Sequence, residues 1–136
     1  MGNVDAVQGI YAAFGDGDIG AILGRLADDV RWDEWAPTSR TGEVIPYLAP
    51  RVGRDAVAGF FGEIIEALEF ERFEPTALLA SDDQVAALIN VTLMVKATGT
   101  RIEDTEIHLW TFGPDGKIVA LRHFLDTLQH AAAQSG

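Results

Sequence analysis

The chain has 136 residues, 48% of them hydrophobic and 23% charged, with no long biased tract; this fits one globular domain and excludes a disordered or fibrous protein. A formal charge of −11 argues against nucleic acid or an anionic membrane surface as partner, because both are polyanions. Without cysteine there are no disulfides, thiolate metal sites or thiol catalysis.

No apolar run is long enough to span a bilayer, and the opening "MGNVDAVQG" lacks the basic patch and apolar core of a signal peptide, so a cytoplasmic location is expected. Val4, Val7, Tyr11 and Phe14 form one apolar stripe at helical spacing, with Asn3 as N-cap and Gly15 as stop. A second short helix is expected after Asp18, whose carboxylate can cap it, with Ile19, Ile22, Leu23 and Leu26 turned inward. In "DDVRW" the period changes to two. Val30, Trp32 and Glu34 alternate with Arg31, Asp33 and Trp35, which predicts a short strand running into a loop.

Residues 36–52 contain three prolines and no sustained periodicity, the pattern of a lid or binding loop. A third helix is expected to start near residues 53–55, with Val57, Phe60, Phe61, Ile64, Ile65 and Leu68 on a broad apolar face. After Glu69 the pattern is strand-like, at about 70–80, 85–98, 101–112 and 117–125, with turns at "SDDQ", "ATGT" and "GPDGK". Helices first and an antiparallel meander afterwards predict a single α+β domain, residues 1–136, with helices packed on a curved sheet.

The stretch "EIHLWTF" places ionisable groups in an otherwise apolar strand. Alternation puts Glu106, His108, Trp110 and Phe112 on one face and Ile107, Leu109 and Thr111 on the other. Both faces are apolar enough to be covered, one by the helices and one by a second subunit. Pro114-Asp115-Gly116 suits a three-residue turn. Closing it with Gly113 opposite Lys117 sets His108 opposite Arg122 and Glu106 opposite Phe124, with Asp126 further along the same face. A slip of one residue brings Leu121 and His123 to that face and turns Arg122 away. The turn chemistry favours Arg122, and His123 is the alternative.

An imidazole can move protons near neutral pH, a partly buried carboxylate can act as acid or base, and a guanidinium can hold an anion. The same groups also serve as ordinary wall and ion-pair residues. His108, His123 and His130 have no metal-binding spacing, and there is no phosphate loop or Gly-x-Ser-x-Gly elbow, so neither metal nor cofactor is expected.

The phrases "IYAAFGDGD", "LADDVRW", "VGRDAVAGFF", "HLWTF" and "DGKIVALRHFLDT" stand in an order and spacing that resembles the nuclear-transport-factor-2-like superfamily, in its SnoaL-like (polyketide-cyclase-like) and ketosteroid-isomerase-related branch. The resemblance covers nearly the whole chain. It implies a cone-shaped α+β barrel in which three N-terminal and central helices pack on a strongly curved antiparallel sheet around an apolar pocket. It also implies a homodimer through the outer sheet face.

At the general-base aspartate of the ketosteroid isomerases the resemblance places Glu34, and at their oxyanion-binding aspartate His108. Their oxyanion tyrosine falls at Ile10, one place from Tyr11. The neutral carboxylic acid that donates to the oxyanion in that enzyme is absent here, which argues against a steroid isomerase of the usual mechanism. Asp126 matches the terminal aspartate of limonene-epoxide hydrolases, but "LINVTL" lacks their Arg-x-Asp partner motif. Asp126 or Glu34 corresponds to the acid/base aspartate of SnoaL-type cyclases.

Two readings follow. One is a cofactor-independent isomerase, cyclase or dehydratase acting on a small apolar oxygenated molecule. In it Glu34 is the base, His108 the proton donor or carbonyl polariser, Arg122 and Asp126 an orienting pair, and Tyr11, Phe14, Trp32, Phe60, Glu106 and Trp110 the ligand-binding wall, with the 36–52 loop as lid. The other is a non-catalytic dimeric pocket or assembly module with the same wall.

Overall fold

The computed structural model describes residues 2–135. The chain opens with α1 (Asn3–Gly15), α2 (Ile19–Leu23) and β1 (Leu26–Trp32). The connection from β1 is structured: it contains α3 (Thr41–Val44), a 3-10 turn (Pro46–Leu48) and β2 (Arg51–Val52). Then come α4 (Arg54–Ala67), β3 (Leu68–Ser81), β4 (Gln84–Val95), β5 (Thr100–Phe112), β6 (Ile118–Phe124) and α5 (Thr127–Ser135).

Local chemistry sets the helix ends. Asp18 accepts from the Ala21 amide and caps α2 as expected. The α1 cap lies one residue earlier than the sequence suggests: Gly2 is the N-cap, and its N–H donates to the Asp5 carboxylate. From α1, Val7 and Ile10 are buried; from α4, Val57, Phe60, Phe61 and Ile64 are. Leu26 begins β1 instead of ending α2, and Ile65 is exposed.

The sheet order is β2-β1-β6-β5-β4-β3. From β3 to β6 it is the expected antiparallel meander. It is mixed overall, however, because β1 pairs in parallel with β6. The crossover from β1 through α4 and the meander is long enough to allow a parallel return. The sheet is also open, with β2 and β3 as edges, so the barrel is not closed. β3 tolerates Pro75 because it is an edge strand with a register shift between Pro75 and Ala77. In β4 alternation is strict: Val85, Ala87, Ile89, Val91, Leu93 and Val95 are buried, and they line the concave face under the helices.

The β5–β6 hairpin closes as the turn chemistry predicts, with the Gly113 N–H donating to the Lys117 carbonyl at 2.8 Å. Phe112 pairs with Ile118, but Thr111 pairs with Ala120, so Val119 is an extra residue on β6. Beyond this bulge the register moves by one. His108 faces His123, and Leu109 faces Arg122. The expected His108–Arg122 pairing is therefore corrected: the three-residue turn forms, but the bulge after it turns Arg122 outward.

On the convex face Ile107 pairs with both Leu88 and Phe124, and Leu109 pairs with Ala86 and Arg122. Ile107 is 38% exposed, Phe124 39% and Leu79 62%. Among the described residues no helix is long and apolar enough to cross a membrane.

Candidate active site

The concave face and the helices enclose a cavity of about 70 Å3, several times the ~10–15 Å3 that a single water needs. Its walls are aromatic and aliphatic. Tyr11 and Phe14 come from α1, Trp32 from β1, Phe60 and Phe61 from α4, and Phe70 and Phe73 from β3. Tyr47 and Leu48 of the 3-10 turn and His130 of α5 also line it. The segment expected to be a lid loop is thus partly a built wall, with Tyr47 and Leu48 buried.

Polar groups enter this apolar space in three histidine–carboxylate pairs. His108 Nε2 lies 3.0 Å from Glu106 Oε1, and its Nδ1 is 2.9 Å from the Tyr11 hydroxyl. Trp110 Nε1 donates to the same hydroxyl at 3.0 Å. The donors and acceptors fit one arrangement: Trp110 donates to Tyr11, Tyr11 to His108 Nδ1, and His108 Nε2–H to Glu106. In that arrangement His108 is neutral.

His123 is held by Asp33. Its Nδ1 is 2.8 Å from Asp33 Oδ2, and its backbone N–H donates to Asp33 Oδ1 at 2.7 Å. Asp33 is fully buried, with a positive φ of 55° just beyond β1, and its N–H donates to the Leu121 carbonyl. This left-handed residue redirects the chain, placing its own carboxylate inside and Glu34 outside. The His108 and His123 rings meet edge to face, with centroids 4.7 Å apart. Among the described residues His123 Nε2 has no hydrogen-bond partner.

The third pair closes the cavity near α5. His130 Nε2 is 3.1 Å from Asp104 Oδ2 and 3.9 Å from Glu106 Oε2. The Tyr47 hydroxyl sits 2.6 Å from His130 Nδ1 and accepts from Gln134. Asp104, Glu106 and His130 bring one donor atom each within 4.8 Å of one another, an arrangement that can hold a cation and that linear spacing does not reveal.

Electrostatics separates the two facing histidines. Burial lowers the His108 pKa and neighbouring His123 lowers it further, outweighing the Glu106 contact. Burial acts the same way on His123, but the charge and hydrogen bond of Asp33 outweigh it and raise its pKa. Burial alone would raise the Glu106 carboxyl; the His108 hydrogen bond and the surrounding imidazoles hold it below the usual value instead. Burial pushes the Tyr11 and Tyr47 phenols well up, so both are neutral donors.

Seven of the ten residues singled out in the sequence line the cavity: Tyr11, Phe14, Trp32, Phe60, Glu106, His108 and Trp110. The other three do not reach it. Glu34 is exposed and pairs with Arg31, because the turn at Asp33 carries it out of the strand alternation. Arg122 lies on the convex face, its guanidinium 5.0 Å from the Trp35 ring centroid and 5.1 Å from that of Phe124. Asp126 is exposed, and its carboxylate accepts from the Gln129 amide in the first turn of α5. These three are corrected as site residues. Asp33, Tyr47, Asp104 and His130 were not singled out. His123 was available only as the alternative register.

The sequence model of the SnoaL-like domain matches residues 7–121. No curated protein matches the chain. Among solved structures, an NTF2-like protein from Burkholderia xenovorans LB400 is 28% identical with a TM-score of 0.79, covering 96% of this chain and 94% of that one. An NTF2-like protein from Burkholderia thailandensis E264 is 25% identical with a TM-score of 0.83, covering 98% of each chain. TerC, co-crystallised with polyporic acid, is 23% identical with a TM-score of 0.78, again over 98% of each chain. This last likeness concerns the fold.

Proposed function

The chain belongs to the SnoaL-like family, and from that premise, with the facing His108 and His123 pair, we propose that it moves a proton on a small apolar oxygenated molecule bound in the cavity, by side chains alone. Isomerisation, aldol-type cyclisation and dehydration are all proton transfers of this kind. The carrying observation is that two touching imidazoles, each on its own carboxylate, have pKa values pushed in opposite directions. Such a split makes His123 the charged donor and keeps His108 a neutral support for the Glu106 carboxylate.

In this reading protonated His123, steered by Asp33, donates from Nε2 to the ligand oxygen. Glu106 takes a proton through Oε2, while His108 and Tyr11 hold its other oxygen in place. Trp32 Nε1 is buried without a partner among the described residues, and a ligand carbonyl or hydroxyl would satisfy it. The aromatic walls select an apolar, flat molecule and keep water from the reacting atoms.

The second reading, a non-catalytic ligand binder, is favoured by one feature: both ring nitrogens of His108 are already engaged within the wall. Deuterium exchange at the α-carbon of small enolisable ketones and hydroxyquinones, followed by NMR, separates the two. Catalysed exchange that falls by ~10²–10⁴-fold in His123→Gln supports proton transfer. Ligands that bind and protect the protein against heat, yet show no catalysed exchange, would establish the binder instead. In either reading the apolar convex patch around Ile107 and Phe124 is proposed as the interface of a homodimer.

A further inference from the structure

Two carboxylate oxygens beside the cavity accept no hydrogen bond among the described residues. Glu106 gives Oε1 to His108 and leaves Oε2 bare, 3.9 Å from His130 Nε2. Asp104 gives Oδ2 to His130 Nε2 and to the Asp126 N–H, each at 3.1 Å, and leaves Oδ1 bare. The Glu106 and Asp104 side chains are 8% and 7% exposed, and that of His130 is fully buried. One imidazole thus faces two buried carboxylates, and a buried negative charge without compensation is costly.

We propose that Asp104, Glu106 and His130 form a binding site for one divalent transition-metal ion, with Zn²⁺ the best fit, and that an ion held there switches the proton transfer off by taking Glu106 Oε2. The switch rests on Glu106 being the group that accepts the proton; the binding does not.

The charges balance. Two carboxylates and a neutral imidazole cancel a double positive charge, so the occupied site is neutral within its apolar surroundings. The distances agree as well. One donor atom from each residue lies within 4.8 Å of the others. Zinc bonds of ~2.0–2.2 Å set tetrahedral ligands ~3.4 Å apart, so separations of 3.1 and 3.9 Å from His130 Nε2 need only small side-chain adjustments.

His130 is also held as a metal ligand is held, through its other ring nitrogen. Nδ1 lies 2.6 Å from the Tyr47 hydroxyl, to which Gln134 donates. When an ion takes the Nε2 lone pair, the imidazole hydrogen stands on Nδ1 and the Tyr47 oxygen accepts it. Glu106 and His130 line the cavity, so a water molecule or a ligand oxygen can complete the coordination from that side. Asp104 borders a polar surface depression with Asn90, Thr92, Glu103 and Thr105, which gives a hydrated ion a polar approach. An imidazole with two carboxylates favours Zn²⁺ over Mn²⁺, and over Mg²⁺, which keeps its water shell.

Calorimetric titration of the full chain with ZnCl2, read beside the histidine NMR signals, tests the site. One ion per chain should bind, with the His130 ring signals moving first. Asp104→Asn keeps the side-chain volume and should weaken binding by about tenfold or more. If that variant does not fold, His130→Gln carries the same test, with the His108 and His123 signals reporting an intact cavity. No saturable binding, or equal affinity in the unaltered protein and a folded variant, would overturn the site and leave only scattered surface carboxylates. The switch is read separately. One equivalent of Zn²⁺ should abolish α-carbon exchange in the unaltered protein and spare it in Asp104→Asn. Exchange that persists with the site filled would overturn the switch. A protein that binds Zn²⁺ at His130 but never catalyses exchange would sink the proton-transfer reading and leave the metal site standing.

Discussion

His108 and His123 meet edge to face with their ring centroids 4.7 Å apart, and each ring is tied on one nitrogen to its own buried carboxylate, Glu106 or Asp33. Two imidazolium ions at that separation would repel strongly in a low-dielectric cavity, so the pair holds one charge more readily than two.

The pH dependence follows from the two directions. His123 has a raised folded pKa, so its contribution to stability is complete below its unfolded value of 6.5 and is lost as pH rises through the folded value. His108 has a depressed folded pKa, so its contribution is present above 6.5 and is lost as pH falls through the folded value. Glu106 adds a term present above 4.5 and lost as pH falls through its own lower pKa. Urea midpoints measured against pH should therefore peak near pH 6.5, and histidine NMR titrations should bracket that value from opposite sides. A flat stability profile with both pKa values on the same side would contradict the assignment.

Asp33→Asn should reverse the behaviour of His123. The amide still accepts from the backbone N–H but offers no anion to the imidazole, so only the charge of Glu106 opposes burial and the His123 pKa should fall. Stability should drop by ~1–3 kcal/mol, most at the acidic end where His123 was charged. The same NMR titration combined with urea unfolding reads both effects. A His123 pKa that does not move would remove Asp33 from its assigned role.

Much of the scaffold was legible because it rests on periodicity. The stripes of α1 and α4, the strict alternation of β4 and the Pro-Asp-Gly turn all appear where the sequence places them. What was not legible rests on single residues that break periodicity. Val119 adds one residue to β6, and that alone exchanges His123 for Arg122 at the cavity wall. Asp33 leaves the strand with a positive φ, and that alone exchanges Asp33 for Glu34. The α5 helix, which brings His130 against Asp104 of β5, follows the last strand, where the sequence predicts no helix. The pairing of Asp104, Glu106 and His130 depends on that placement, so no linear spacing announces it.

The exposed carboxylate and the half-buried convex-face guanidinium that the sequence favoured should be nearly silent. Glu34→Gln removes only a solvent-exposed pair with Arg31, which contributes ~0–1 kcal/mol. Any proton-exchange activity and any ligand affinity should stay within about twofold of the unaltered protein, in contrast to the losses expected at His123. Arg122→Lys should likewise spare the cavity, while weakening the stack on Trp35 and Phe124. Loss of exchange activity in Glu34→Gln, with the fold intact, would return the base to that position.

The convex patch gives the last prediction. Ile107 and Phe124 are directly paired neighbours on adjacent strands, and Leu88 continues the row on β4. Trp35 packs edge-on against Phe124, with the Arg122 guanidinium over both rings. The row is therefore apolar along its length and rigid at one end, which suits a self-complementary face about a two-fold axis. A charge of −11 opposes association at long range, so a dimer formed through this face should tighten as salt screens the repulsion. Sedimentation at micromolar concentration should show a dimer that becomes monomeric in Ile107→Asp, with the cavity histidines titrating unchanged. A monomer at both low and high salt would leave the patch without this partner.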